Sequence, residues 1–159
     1  MTRKEQYEQL IPQIAGLIKG ETNLVGILAN VSAALHDAFP ERFFWVGFYL
    51  QENGNMLRLG PFQGSVACYV IPFGKGVCGK AWEEERTLIV PDVEKFPGHI
   101  ACSSLSRSEI VVPMYDDSHT FRGVLDIDST RLNDFNEDDK EGLERIIELL
   151  MAETQDLFQ

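Results

Sequence analysis

Between Arg42 and Gly64 the chain reads RFFWVGFYLQ, then ENGN, then MLRLGPFQG. The first run is aromatic and β-branched, the composition of a half-buried strand. Asn-Gly in the middle is a turn signal, and the third stretch resumes as a partner strand. Two strands joined by so short a turn must run antiparallel. That local requirement rules on the rest of the chain, because it restricts which site architectures the sheet can carry.

The restriction matters at once for IPFGKGVCGKAW, residues 71–82. Gly74, Gly76 and Gly79 satisfy G-x-G-x-x-G, and Gly74, Gly79 and Lys80 satisfy most of a phosphate loop. Both fingerprints need a strand, loop and helix inside a parallel sheet. Ala81 stands where Ser or Thr would hold magnesium, and the acidic VLDID run that mimics a second nucleotide motif belongs to a hairpin. The glycines read better as a tight turn into a short helix over 77–85, with Gly79 letting the helix approach the sheet.

The remaining elements agree with an antiparallel sheet. SVACYVI reads as a third strand and RTLIVPDV as a brief one. SEIVVPMYDD and TFRGVLDIDS form a second hairpin around Asp117 to His119. Residues 92–107 form an irregular loop rich in Gly, Pro and Ser. Leu10, Ile11, Ile14, Leu17 and Ile18 recur at helical spacing, with Pro12 expected in a first turn or at a kink. Thr22 is placed to cap a second helix that ends near Pro40. Asn136 caps a last one, opened by Glu137, Asp138 and Asp139, with Leu143, Ile146, Ile147 and Leu150 as its stripe. The expected fold class is α+β: a central, mainly antiparallel sheet flanked by N-terminal and C-terminal helices, in one domain over residues 1–159.

Charge and cysteine usage narrow the function. A formal charge of −11 repels a phosphate backbone and argues against nucleic acid as a partner. No apolar run is long enough for a membrane span, and MTRKEQYEQL lacks the core of a signal peptide, so a cytoplasmic location is expected. Three cysteines, Cys68, Cys78 and Cys102, make no C-x-x-C pair and have no histidine cluster beside them. A structural zinc site is not expected, which leaves buried thiols or reactive ones. Cys102 lies on the Ser-rich loop, where a thiol is more accessible than in a strand. Cys68 alternates with Val66 and Val70 on a strand, which equally suits a small buried hydrophobe. Cys78 opens the short helix, whose dipole is expected to lower its pKa.

Asp126 and Asp128 are two apart on a strand and share a face, opposite Leu125 and Ile127. Acids in an otherwise apolar strand need water, partners or a ligand. Glu109 begins the neighbouring strand of the same hairpin, so the three can cluster, and clustered carboxylates raise at least one pKa. Trp45 and Tyr49, four apart, share a strand face as either core or pocket wall. His99 precedes Cys102 by three and is either a surface histidine or an assistant to its thiolate.

IPFGKGVCGKAWEEERTLIVPDV resembles the signature of GAF domains: a glycine turn, a helix, and a strand ending in Asp-Val. More narrowly, FWVGFYL, LGPFQG, ACYVIPFGKGVCG, GHIACSS, SEIVVP and GVLDIDST together resemble the free methionine-(R)-sulfoxide reductases, a catalytic GAF class, over Gly20 to Leu150. The resemblance implies a GAF-like fold. It implies Cys102 as nucleophile on the sulfoxide sulfur and Cys68 as the thiol that condenses with the resulting sulfenic acid, or else Cys78, which is also a candidate for disulfide relay. It implies Glu109, Asp126 and Asp128 around the substrate ammonium and sulfoxide oxygen, with Trp45 and Tyr49 against the methyl group. It implies no cofactor or metal beyond an external dithiol such as thioredoxin, and it admits a homodimer. The competing readings are a non-catalytic GAF module that binds a small ligand and a thiol redox sensor. Three thiols are unnecessary to the first, and the acid cluster would repel a cyclic phosphate.

Overall fold

A computed structural model describes residues 1–158. The order of elements is α1 (Arg3–Ile18), α2 (Leu24–Ala38), β1 (Trp45–Glu52), β2 (Met56–Gln63), β3 (Val70–Pro72), α3 (Gly76–Glu84), β4 (Leu88–Val90), β5 (Ser108–Tyr115), β6 (Phe121–Ser129) and α4 (Glu137–Thr154). The six strands form one sheet in the order β3-β2-β1-β6-β5-β4. Every pairing is antiparallel, as the two hairpins require. A parallel strand–loop–helix nucleotide site is therefore excluded by topology.

Strand alternation sorts side chains into two cores. Val46 and Phe48, Ile110, Val112 and Met114, and Leu125 and Ile127 face a layer made by α1, α2 and α4. The residues between them turn to the other face, where Trp45, Tyr49, Val111 and Val124 pack with Val77, Cys78 and Ala81 of α3. Both faces are buried, so the central strands read as nearly continuous apolar runs. The acids of β6 and β5 are the exceptions, and all of them fall on the α3 side.

Pro12 lies inside α1 and beyond its first turn, because the helix starts nine residues earlier at Arg3, where Thr2 and Glu5 form a capping box. Two local expectations need correction. The α2 cap is Asn23, not Thr22; Glu21 Oε1 accepts from the amides of both residues. The third strand is only Val70–Pro72, so Cys68 precedes it in an irregular segment. The reason is tertiary: the Cys68 carbonyl accepts a hydrogen bond from the Tyr49 hydroxyl at 2.9 Å, and its sulfur is tied to the loop beyond. Gly79 behaves as expected. A Cβ there would lie 2.7 Å from the Pro72 carbonyl oxygen, so only glycine lets α3 approach this turn.

Candidate active site

The register places the functional side chains in two cross-strand rows. Trp45 of β1 is opposite Asp128 of β6, which is opposite Glu109 of β5. One pleat along, Asp126 sits between Gly47 and Val111. Opposed residues lie about 5 Å apart and same-face neighbours somewhat further, so three carboxyl groups and one indole meet on the α3 side of the sheet. Tyr49 extends the wall, its ring stacked 5.9 Å from that of Trp45. Phe62 also stacks on Trp45, at 5.1 Å, and the indole N–H donates to the Ser65 carbonyl at 3.0 Å.

Above this floor lies a cavity of about 40 Å³. Its lid comes from Val66 and Ala67 on one side and from His99, Ile100, Cys102, Ser103 and Ser106 on the other. The two halves of the lid are joined by a disulfide between Cys68 and Cys102, whose Cα atoms are 5.4 Å apart. The cavity has room for about three waters, less than an amino acid needs. In this disulfide form the lid is closed down on the floor.

Burial and mutual repulsion govern the acids. Glu109 and Asp126 are 5% and 6% exposed. Desolvation pushes Glu109 well above the ordinary carboxylate range, and the charges of Asp126 and Asp128 push it further. Asp128 is raised by the same two causes, burial and then Asp126. Asp126 is pushed up to about 6 by burial, while hydrogen bonding from Glu109 and Cys78 pulls it back. Its Oδ1 is buried with no fixed hydrogen-bond partner among the described residues, so a proton retained on a neighbour is its natural donor. All three are raised together, and so close a set of carboxyl groups titrates as one coupled group. An anion and a proton donor are thereby available within one small site.

His99 Nε2 lies 3.9 Å from Glu109 Oε1, with the side chain 17% exposed, so it is a cavity residue and not a surface one. Burial lowers its pKa and favours the neutral ring.

Cys78 does not follow its expected chemistry. It is 3% exposed and outside the disulfide. Burial first, and then the charges of Asp126, Glu109 and Asp128, push its thiol up, and these outweigh any lowering by the start of α3. Its sulfur lies with oxygens of Glu109 and Asp126 inside a 4.8 Å cluster. Those are metal-ligand atom types, but a cation would have to displace the protons that burial keeps on Cys78 and Glu109.

Ala67, Ile100, Ser103 and Ser106 line the cavity without having been singled out by sequence. The available signal was nearness to Cys68 or Cys102 along the chain. No helix among the described residues is long and apolar enough to cross a membrane.

Comparison with known proteins places this geometry. The GAF domain family model matches residues 21–152. GAF domain-containing protein A of Dictyostelium discoideum is 59% identical over 94% of this chain and 92% of its own length. The free methionine-R-sulfoxide reductase of Saccharomyces cerevisiae is 44% identical over 94% of this chain and 86% of its own. The crystal structure of the Neisseria meningitidis free methionine-R-sulfoxide reductase in complex with its substrate superposes with a TM-score of 0.93. It is 46% identical and covers 98% of this chain and 92% of its own. With an all-antiparallel GAF sheet, a disulfide-closed cavity above three acids, and relatives matching along nearly its whole length, the chain belongs to the free methionine-R-sulfoxide reductase family of GAF domains.

Proposed function

We propose that the protein reduces free L-methionine-(R)-sulfoxide to L-methionine, with Cys102 as nucleophile and Cys68 as resolving thiol. The observation that carries this reading is the disulfide between Cys68 and Cys102 positioned over Glu109, Asp126 and Asp128. A thiol that attacks a substrate on that floor must be one of the two in the lid. Cys102 is on the longer loop, among the serines that line the cavity. Cys78 is buried and unpaired, and its raised pKa keeps it from being a nucleophile at neutral pH.

In the reduced protein the lid opens and the substrate lies along Trp45 and Tyr49, which offer an apolar wall to its methyl group. An ionised Asp126 attracts the α-ammonium. Glu109, held protonated, donates to the sulfoxide oxygen. The Cys102 thiolate attacks the sulfoxide sulfur, the oxygen passes to Cys102 as a sulfenic acid, and methionine leaves. The Cys68 thiol then condenses with the sulfenic acid. The S–S bond forms, and water carries away the oxygen. An external dithiol, of which thioredoxin is the working candidate, returns two electrons and two protons. A substrate within a polypeptide lacks the free ammonium, so the acid cluster selects the free amino acid.

The test is incubation with dithiothreitol and racemic methionine sulfoxide, with methionine quantified. Conversion is expected to stop at half. Cys102→Ser is expected to abolish even one turnover, and Cys68→Ser to leave one methionine per chain with thioredoxin as reductant. Absence of methionine with the parent protein, or equal rates on the N-acetylated substrate, overturns the reading.

A further inference from the structure

The disulfide chemistry leaves Cys78 without a role, yet its surroundings are not those of an ordinary core thiol. Its sulfur, one oxygen of Glu109 and one of Asp126 all lie within 4.8 Å of one another, and all three residues are buried. Asp126 is 6% exposed and lines the cavity, and its Oδ1 has no hydrogen-bond partner among the described residues. Buried polar atoms are nearly always paired, so an orphaned carboxylate oxygen calls for a donor or a cation from outside the chain. His99 stands at the edge of this set, with Nε2 3.9 Å from Glu109 Oε1. Its neutral ring presents one nitrogen lone pair.

Charge points the same way. Glu109, Asp126 and Asp128 line the cavity, and no lysine or arginine does. A cation there relieves the repulsion among the acids. The substrate ammonium is one such cation, and a divalent metal ion is another. The donor atoms choose the metal. Magnesium and calcium take shells of oxygen, whereas a thiolate, an imidazole and carboxylates together suit zinc. Zinc–ligand bonds of about 2.0–2.3 Å in a tetrahedron hold the donor atoms about 3.5 Å apart. Closing the set by about 1 Å is within reach of side-chain rotation. Zinc would take the place of the protons on Cys78 and Glu109, which pass to solvent, since a coordinating thiol is deprotonated outright.

We infer that Cys78, Glu109 and Asp126, with His99 at the fourth position, form an inhibitory zinc site in the reduced protein. Zinc on these acids excludes the substrate ammonium and removes the proton that Glu109 would donate, so it competes with methionine sulfoxide. The inhibition rests on the proposed reductase activity; the binding does not.

Cobalt(II), which replaces zinc in tetrahedral sites and absorbs when a thiolate binds it, reads the site without any turnover. Cys68→Ser with Cys102→Ser leaves Cys78 as the only thiol of the chain. That variant is expected to give a cobalt–thiolate band that zinc removes, and adding Cys78→Ser is expected to abolish the band. Inhibition is read in a single turnover of pre-reduced protein freed of reductant, because dithiothreitol itself chelates zinc. Methionine from the parent is expected to fall with zinc, to return with EDTA, and to need more zinc for the same loss as substrate is raised. Cys78→Ser is expected to keep its zinc-free turnover within about twofold. It should need at least about tenfold more zinc for the same inhibition, because loss of even an outer partner of a metal site costs about 10–100-fold. A folded double variant with no cobalt band would overturn the inference. So would inhibition of Cys78→Ser at the parent's zinc concentration, which would assign the metal to Cys68 and Cys102. If the double variant does not fold, the single-turnover comparison decides alone. If the parent makes no methionine without zinc, the reductase reading fails, and the cobalt band still decides the site.

Discussion

Reduction of the Cys68–Cys102 disulfide should cost the protein a large share of its stability, and the size can be worked from the fold. The bond closes a loop with a sequence separation of 34. The chain-entropy relation for a loop of that length gives about 4 kcal/mol at 25 °C, lost when the unfolded chain is released from the constraint. For a domain of this size each kcal/mol moves the midpoint by about 2–4 °C. The reduced protein should therefore melt about 8–15 °C below the oxidised one. Differential scanning calorimetry with and without dithiothreitol measures this. Cys68→Ser is the control, since it has no bond to lose and should melt at one temperature in both buffers. Two results would refute the reasoning: a parent midpoint that does not move, or a Cys68→Ser midpoint that falls equally on adding reductant. The first would mean that the closed lid is under no topological constraint, and the second that the reductant acts elsewhere.

Asp126 predicts a pH dependence. Its folded pKa is raised to about 6 from 3.8, so the folded state binds the extra proton between those values. The associated stability is fully present below about pH 4 and is lost as pH rises through 6, for a total of about 3 kcal/mol. Asp126→Asn should flatten that part of a urea-unfolding profile, and an unaltered slope would count against the burial argument. Tyr49→Phe removes the hydroxyl that holds the Cys68 carbonyl and should lower oxidised stability by about 1 kcal/mol, read as a shift in the urea midpoint. Cys78→Ser should still form the Cys68–Cys102 disulfide after one equivalent of substrate, seen by mass spectrometry as loss of two hydrogens; a chain that stays fully reduced would return Cys78 to the relay.

Much of the site was legible because strand periodicity is so short-ranged. Asp126 and Asp128 share a face whatever the rest of the chain does, and so do Trp45 and Tyr49. The ENGN and Asp117–His119 turns then force neighbouring strands to be antiparallel, and that brings Glu109 opposite Asp128. The errors came where a long-range contact overrides a local preference. VACYVI has the composition of a strand, but the Tyr49 hydroxyl and the disulfide take Cys68 out of the sheet. Cys78 sits at a helix start, but the acids of β5 and β6 packed beneath α3 push its thiol the other way.

From its sequence alone, then, this protein has its helices, its antiparallel hairpins, its acid pair on one strand face and a choice among three thiols. Each follows from interactions among residues near one another in the chain, or from the period of the backbone. Only the tertiary structure decides which two thiols meet, that all three acids are raised by burial and that His99 faces the cavity. Those depend on burial and on distances between β1, β5, β6 and the 92–107 loop, and desolvation has no counterpart in a linear sequence.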